Sequence, residues 1–206
     1  MAYDLTVEGM QSHVSRCKPI SWYTPGKVIH VNDMMNKNYT YMLTARYGKD
    51  FDKDFNPELT PQDMLSMGVF EGKYLNDCMN EFPREWYLDA LRNGKLSPEH
   101  PDKSINLFKK KSRQSLQVWQ RNGWSPLCKE DKDVRGWFQW YCRYYIGRRN
   151  QYVDDIQIKR WRAFIRHKAQ ILHDPRNSKL TTKKDKITHR AKQRQALLQW
   201  AYYPWV

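Results

Sequence analysis

The alternation of apolar and polar positions predicts a mainly α-helical protein with a small β element near its N-terminus. Residues 28–31 and 40–47 are rich in β-branched and aromatic side chains, and a polar stretch containing Asn and Asp separates them. This pattern is typical of two strands joined by a long loop. We therefore expect an irregular or β segment over residues 1–57 and a helical, basic and aromatic-rich domain over residues 58–206, packed as a single compact unit.

Helix-start signals follow directly after the N-terminal segment. Thr60 suits an N-cap, Pro61 suits the first helical position, and Asp63 stands three residues after the cap. A second helix is expected over residues 83–92, because Gly94 follows this stretch as a stop signal.

Three further helices are expected in the second half of the chain. Residues 136–149 are aromatic or apolar on almost every side, which is the pattern of a buried central helix. Residues 154–172 carry an apolar and a basic stripe, and residues 190–203 form a last helix with cations at its start. Cations are unfavourable at that end of the helix dipole, so we expect an anionic ligand to dock there. The Lys-rich stretch 174–188 is expected to be a flexible loop.

The distribution of charge adds a functional prediction. The chain has 206 residues and a formal net charge of +14. Residues 1–100 carry 11 basic and 14 acidic side chains, whereas residues 101–206 carry 25 basic and 8 acidic ones. The excess positive charge therefore lies in the second half, which indicates a polyanionic partner, either nucleic acid or an acidic membrane surface. A solvated basic surface that serves solubility is the alternative interpretation.

Several classes of protein do not fit the sequence. The four cysteines are widely and irregularly spaced, unlike those of a disulfide-stapled scaffold. No stretch approaches the roughly 18 consecutive apolar residues of a membrane span, and Asp4 and Glu8 do not fit a signal peptide. We therefore expect a protein of the cytoplasm or nucleus, or of the host-cell interior if it is viral, and not a secreted one.

Cations recur at helical spacing among aromatic residues in the basic half. Neutralising phosphates releases counterions and dominates affinity for nucleic acids, arginines fork onto phosphates and stack on rings, and exposed aromatics stack unpaired bases. Lys183, Lys184 and Lys186 add to the same surface. We therefore predict a nucleic-acid-binding protein that prefers DNA over RNA. We expect no membrane partner, because an amphipathic helix within a globular domain has the same stripes and is far more common than an interfacial helix. The predicted contact residues are Arg143, Arg148, Arg149, Lys159, Arg162, Arg166, Arg190 and Arg194.

An enzyme acting on nucleic acid, with a site near residues 71–85, is the second hypothesis. If this stretch is helical, Lys73, Asp77 and Glu81 lie at i, i+4 and i+8 on one face. An amine and carboxyls in one cleft can serve as nucleophile and as general acid or base. A surface ion-pair ladder is the alternative interpretation of the same spacing.

A nuclease-type metal site is a weaker alternative. Glu71 and Lys73 have the Glu-x-Lys spacing of one nuclease class, in which carboxylates hold a metal, and an upstream acid such as Asp54 or Asp63 would have to complete the set. The sequence has none of the Cys and His spacings of zinc sites and no Rossmann or nucleophile-elbow fingerprint. We therefore expect no metal and no cofactor.

Several blocks as a set resemble a family of small basic proteins with fungal, plant and phage or viral members. The blocks are residues 68–74, residues 135–149 and residues 194–202. The family has no assigned activity, so the resemblance implies one globular unit and adds no reaction. Family members carry cysteines in the stretch that corresponds to residues 174–190, where this chain has none.

A protein-interaction module or an inhibitor of a host process is the third hypothesis.

Overall fold

The computed structural model describes residues 6–97, 99–111, 114–125 and 131–206, which are mainly α-helical and contain a two-stranded sheet. The strands are β1 (Val28–Val31) and β2 (Tyr39–Met42), which confirms a mainly α fold with a small β element near the N-terminus. The helices are α1 (Val7–Arg16), α2 (Pro61–Met67), α3 (Arg84–Arg92), α4 (Leu116–Arg121), α5 (Trp137–Ile146), α6 (Gln151–Ala163), α7 (Ile165–Leu172), α8 (Lys183–Lys186) and α9 (Ala191–Gln199).

The β element is the predicted hairpin. β1 and β2 run antiparallel, so that Val28 pairs with Met42 and Val31 pairs with Tyr39. Every second residue of β1 is buried, because successive side chains of a strand point to opposite faces. One face of the hairpin therefore packs on the protein core.

Helix α1 lies in the segment that was expected to be irregular or β. The Thr6 side chain caps it by accepting a hydrogen bond from the Gly9 backbone N–H at 3.0 Å. Glu8 in the first turn and Arg16 in the last turn both complement the helix dipole. Met10 is buried on the inner face of the helix. The expectation for this part of the chain was therefore incomplete.

The two helices predicted from local signals are present. The Thr60 Oγ1 accepts a hydrogen bond from the Asp63 backbone N–H at 3.0 Å, and the Asp63 carboxylate accepts one from the Thr60 backbone N–H at 2.9 Å. This reciprocal capping box fixes the start of α2. Helix α3 follows Pro83 directly and ends before Gly94. Both predictions are confirmed.

Helix α5 is the central helix of the core, as predicted. All of its residues except Tyr145 are buried. Phe55, from the segment before α2, inserts its ring between α5 and α6, with centroids 5.3 Å from Trp140 and 4.9 Å from Trp161. Rings at such separations pack edge to face and exclude water. The N-terminal segment therefore shares one hydrophobic core with the helices.

Gly147 joins the hairpin to the end of α5. Its φ of +114° lies in the left-handed region, and its carbonyl accepts hydrogen bonds from the backbone N–H groups of Thr44 and Ala45 at 2.9 and 3.1 Å. A Cβ at this position would lie 2.2 Å from the Ala45 carbonyl oxygen. Glycine satisfies both the backbone conformation and the close approach.

The last part of the chain departs from the expectation in two places. The single helix predicted before residue 172 is split into α6 and α7 at Phe164, whose ring stacks on Trp200. The expected loop 174–188 contains a 3-10 turn and α8, which has its own capping box between Thr182 and Asp185. In the described ranges, no helix has the length and apolarity that crossing a membrane requires.

Candidate nucleic-acid interface

Arg143, a predicted contact residue, lies in the interior and is 0% exposed. Its Nε and Nη2 donate to the two carboxylate oxygens of Glu81 at 2.6 and 3.0 Å, and its Nη1 donates to Asp133 at 3.1 Å. Burial disfavours the guanidinium charge, but the two carboxylates outweigh burial and raise the pKa of Arg143 above its ordinary value. The structure therefore corrects this prediction, because an enclosed guanidinium does not reach a phosphate.

Arg148, also a predicted contact residue, belongs to the same cluster. It is buried, and its Nη1 donates to Asp133 at 2.9 Å. Glu81 accepts a further hydrogen bond, from the Tyr41 hydroxyl at 2.7 Å. Two guanidinium groups and two carboxylates therefore compensate one another, and we call Glu81, Asp133, Arg143 and Arg148 the core ion cluster. The prediction for Arg148 is corrected for the same reason.

Lys73, Asp77 and Glu81, the candidate catalytic residues, do not share a helix face. The chain between α2 and α3 forms turns and 3-10 segments, so the predicted helical ladder is wrong. Asp77 accepts a hydrogen bond from Arg135 Nη2 at 2.8 Å, and Glu81 is paired with Arg143. Both carboxylates therefore form ion pairs with arginines.

The two upstream acids considered for a nuclease-type metal site are engaged elsewhere. Asp54 pairs with Arg162 on α6 at 3.1 Å, and Asp63 serves the cap of α2. Glu71 is buried, and its Oε1 has no hydrogen-bond partner among the residues described. The Glu-x-Lys spacing therefore does not assemble the carboxylate set that a nuclease metal requires.

Asp33, Cys78 and Glu81 place three possible metal-ligand atoms within 4.8 Å of one another. Positive charge is already present, because Arg135 donates to Asp33 at 3.0 Å and Arg143 contacts both oxygens of Glu81. Burial raises the pKa of the Cys78 thiol well above its ordinary value, whereas a metal needs the thiolate. These residues fit guanidinium partners better than a metal ion.

Arg190 and Arg194 find their acceptors within the protein. Arg190 Nε donates to Asp174 at 2.7 Å. Arg194 is 0% exposed, and its guanidinium donates to the Pro204 carbonyl and to Asn177 Oδ1, both at 2.6 Å. The expected anionic ligand at the start of α9 is therefore replaced by the protein's own carboxylate and carbonyl groups. The structure corrects the predicted phosphate contact of Arg194.

Arg149 is partly exposed, but neighbouring groups hold its guanidinium. The guanidinium lies 3.7 Å from the ring centroid of Tyr144 and donates to the Tyr144 carbonyl at 2.6 Å. It also donates to the Asp50 carbonyl at 2.9 Å. A phosphate contact would require Arg149 to leave several of these partners.

Lys159, Arg162 and Arg166 are exposed on α6 and α7, as predicted. Two of them line a shallow depression of about 320 Å³. Its lining contains three cations and three carboxylates, so the local charges cancel and attract a polyanion weakly. These charged lining residues are Lys53, Lys159, Arg162, Asp52, Asp54 and Asp155.

A more strongly basic surface forms where two remote segments meet at Trp205. The Phe108 and Trp205 rings pack with centroids 4.9 Å apart, and the Lys183 Nζ lies 5.7 Å from the Trp205 ring centroid. These contacts place Phe108, which directly precedes a lysine run, and Lys183 of α8 around the same indole. Five exposed lysines on the two segments form no salt bridge with any described residue. The Trp205 patch consists of Trp205 and Lys109, Lys110, Lys111, Lys183 and Lys184.

Hydrogen bonds on three consecutive carbonyls hold the backbone of Trp205. Lys186 Nζ donates to the Trp205 carbonyl at 2.9 Å. Arg194 Nη1 donates to the carbonyls of Pro204 and Val206 at 2.6 and 2.9 Å. The Trp205 side chain is partly exposed. The backbone that carries the indole is therefore held in place, and the ring itself packs on Phe108 while part of the side chain faces solvent.

The lysines of α8 are part of the basic surface predicted from the sequence, whereas no local signal in the sequence points to Trp205. The two lysine runs were visible signals, but they lie far apart in the sequence. The contact between Phe108 and Trp205 joins them, and no local pattern encodes that contact.

A search of protein-family models, curated proteins and solved structures finds no match to this chain. The resemblance to a family of small basic proteins therefore stays a prediction from the sequence blocks.

Proposed function

We propose that this protein binds nucleic acid, with DNA as the preferred partner, through the Trp205 patch. The observation that supports this proposal is the juxtaposition of five exposed lysines, which form no salt bridges with described residues, and a fixed, partly exposed tryptophan. Asp185, the acidic residue within α8, is engaged by the backbone N–H and the hydroxyl of Thr182. These hydrogen bonds lower the pKa of Asp185 and favour its ionised form. Asp185 therefore offsets one of the five lysine charges, and the patch keeps a net positive charge.

Free lysines suit phosphate binding better than paired cations. Each lysine that neutralises a phosphate releases condensed counterions, and this release supplies most of the affinity for a nucleic-acid backbone. Arg162 would first have to leave Asp54, whereas Lys183 and Lys184 have no carboxylate to leave among the described residues. The net charge of +14 adds a long-range attraction that speeds association at low salt.

The salt dependence of binding tests the proposal. Fluorescence anisotropy would follow a labelled DNA duplex, and separately the matching RNA, from about 50 to 200 mM salt. Replacing Lys183 and Lys184 together by glutamine removes two phosphate contacts. We expect the slope of log Kobs against log salt for the duplex to become shallower by about 1.8, which is 0.9 for each contact.

A matched double variant provides the control. Lys159→Gln with Arg162→Gln removes the same two charges from the compensated surface on α6 and should leave the slope close to that of the wild type. A shallower slope only in this control would place the interface on α6 and contradict the Trp205 patch. Absence of binding to DNA and to RNA at low salt would contradict nucleic-acid binding altogether, and equally tight binding of polyglutamate would favour an acidic protein partner.

A further inference from the structure

We infer that the Trp205 patch takes a single-stranded segment and stacks an unpaired base on the indole of Trp205. This inference rests on the nucleic-acid-binding function proposed above and specifies which form of nucleic acid the patch recognises. The groups that surround the indole ring support it.

The side chain of Lys183, which can leave, lies over the Trp205 ring. The Lys183 ammonium lies over the ring, 5.7 Å from its centroid, and Lys183 itself is exposed. An exposed cation–π contact is weaker than base–aromatic stacking. A base can therefore displace the ammonium, and the released lysine stays close enough to pair with the phosphate of the same nucleotide.

The indole is supported from the protein interior. The ring of Phe108, which contacts it, is 3% exposed, and the Phe108 backbone N–H donates to Gln195 Oε1 on α9 at 3.0 Å. Lys186 and Arg194 donate hydrogen bonds to the carbonyls of Trp205 and Pro204 and so hold the backbone that carries the ring. A ring that is already ordered loses little conformational freedom when a base stacks on it.

A fixed aromatic ring favours unpaired bases over a duplex. The base faces of a duplex are covered by neighbouring bases, so a duplex offers only its phosphates to the patch. A single strand offers phosphates to the lysines and a free base to Trp205, and stacking tolerates any sequence because each base has a π-face. The lysines of α8 and of the run after Phe108 can then contact the strand backbone.

The test separates bases from phosphates with three ligands. They are an oligothymidylate of about 12 nucleotides, an abasic oligonucleotide of the same length and charge, and a duplex of that length. We expect the wild type to bind the oligothymidylate about 5- to 150-fold more tightly than the abasic strand. Trp205→Leu should remove this difference while leaving the salt slopes of both strands unchanged, and Trp205→Phe should retain most of it.

Trp124→Leu is the matched control, since Trp124 is 37% exposed and lies outside the patch. It should retain the preference for the strand that carries bases. Equal wild-type affinity for the abasic strand and the oligothymidylate would overturn the stacking inference while leaving phosphate binding intact. So would a Trp205→Leu variant that keeps the preference. Failure of all three ligands to bind would instead overturn the proposed function. The wild-type comparison distinguishes these outcomes even if Trp205→Leu does not fold.

Discussion

Replacing Arg143 by methionine should destabilise the protein strongly. The substitution leaves Glu81 and Asp133 with Arg148 as the remaining guanidinium of the core ion cluster, so one buried negative charge loses its partner. Removing one partner of a buried ion pair costs about 3–5 kcal/mol, which is a large share of the roughly 5–15 kcal/mol that stabilises a typical domain. With a urea m-value of about 2 kcal/mol/M, a loss of about 4 kcal/mol lowers the unfolding midpoint by about 2 M.

Urea unfolding followed by circular dichroism measures this loss. Arg162→Met is the control, because its pair with Asp54 is exposed and contributes about 0–1 kcal/mol. Adding Glu81→Gln to Arg143→Met should cost less than the sum of the two single variants, since it removes the orphaned charge. An Arg143→Met protein as stable as the wild type would refute the core ion cluster as a stabilising element. A folded Arg143→Met variant whose slope of log Kobs against log salt for DNA becomes shallower by about 0.9, the equivalent of one phosphate contact, would refute it as well.

Two further changes probe other parts of the fold. Gly147→Ala should lower the free energy of unfolding by at least about 1–3 kcal/mol. The reason is that φ is +114° and the new Cβ would lie 2.2 Å from the Ala45 carbonyl oxygen. Thermal unfolding would measure this loss of stability, and an unchanged Tm would contradict the strain. Burial raises the pKa of the Cys17 thiol from 9.0 to about 12, so at pH 8 the folded protein should form roughly a thousandfold less thiolate there than an ordinary thiol does. Alkylation of the Cys17 peptide, followed by mass spectrometry, should therefore be very slow until pH rises well above 9 or urea is added, and rapid labelling at pH 8 would contradict its burial.

Features set by neighbouring residues were predictable from the sequence. The capping box at Thr60 involves side chains three residues apart, so the local order of residues is enough to predict it. The aromatic content of α5 likewise indicates a buried helix, because few polar positions remain to face solvent. Helix α1 was missed because its polar positions outweigh its short apolar stripe.

Features set by remote partners were not predictable in this way. Arg143 lies one helical turn after Gln139 on α5, and both are fully buried. Its partner Glu81 is 62 residues away, so the sequence could not distinguish an arginine that faces solvent from one that meets a carboxylate inside. The Trp205 patch was not predictable for the same reason, because the contact between Phe108 and Trp205 joins segments that are far apart in the sequence.

The hydrogen bond between Tyr41 and Glu81 and the carbonyl contacts of Gly147 bear on the order in which the chain folds during synthesis. The hairpin is made about 100 residues before the end of α5, a delay of about 5–20 s at ordinary translation rates. During that interval the inner face of the hairpin lacks the helix that covers it, and Glu81, once made, lacks Arg143 for the 62 residues that separate the two. Contacts this distant in sequence slow folding. We therefore expect the nascent chain to stay incompletely folded until residue 148 has left the ribosome.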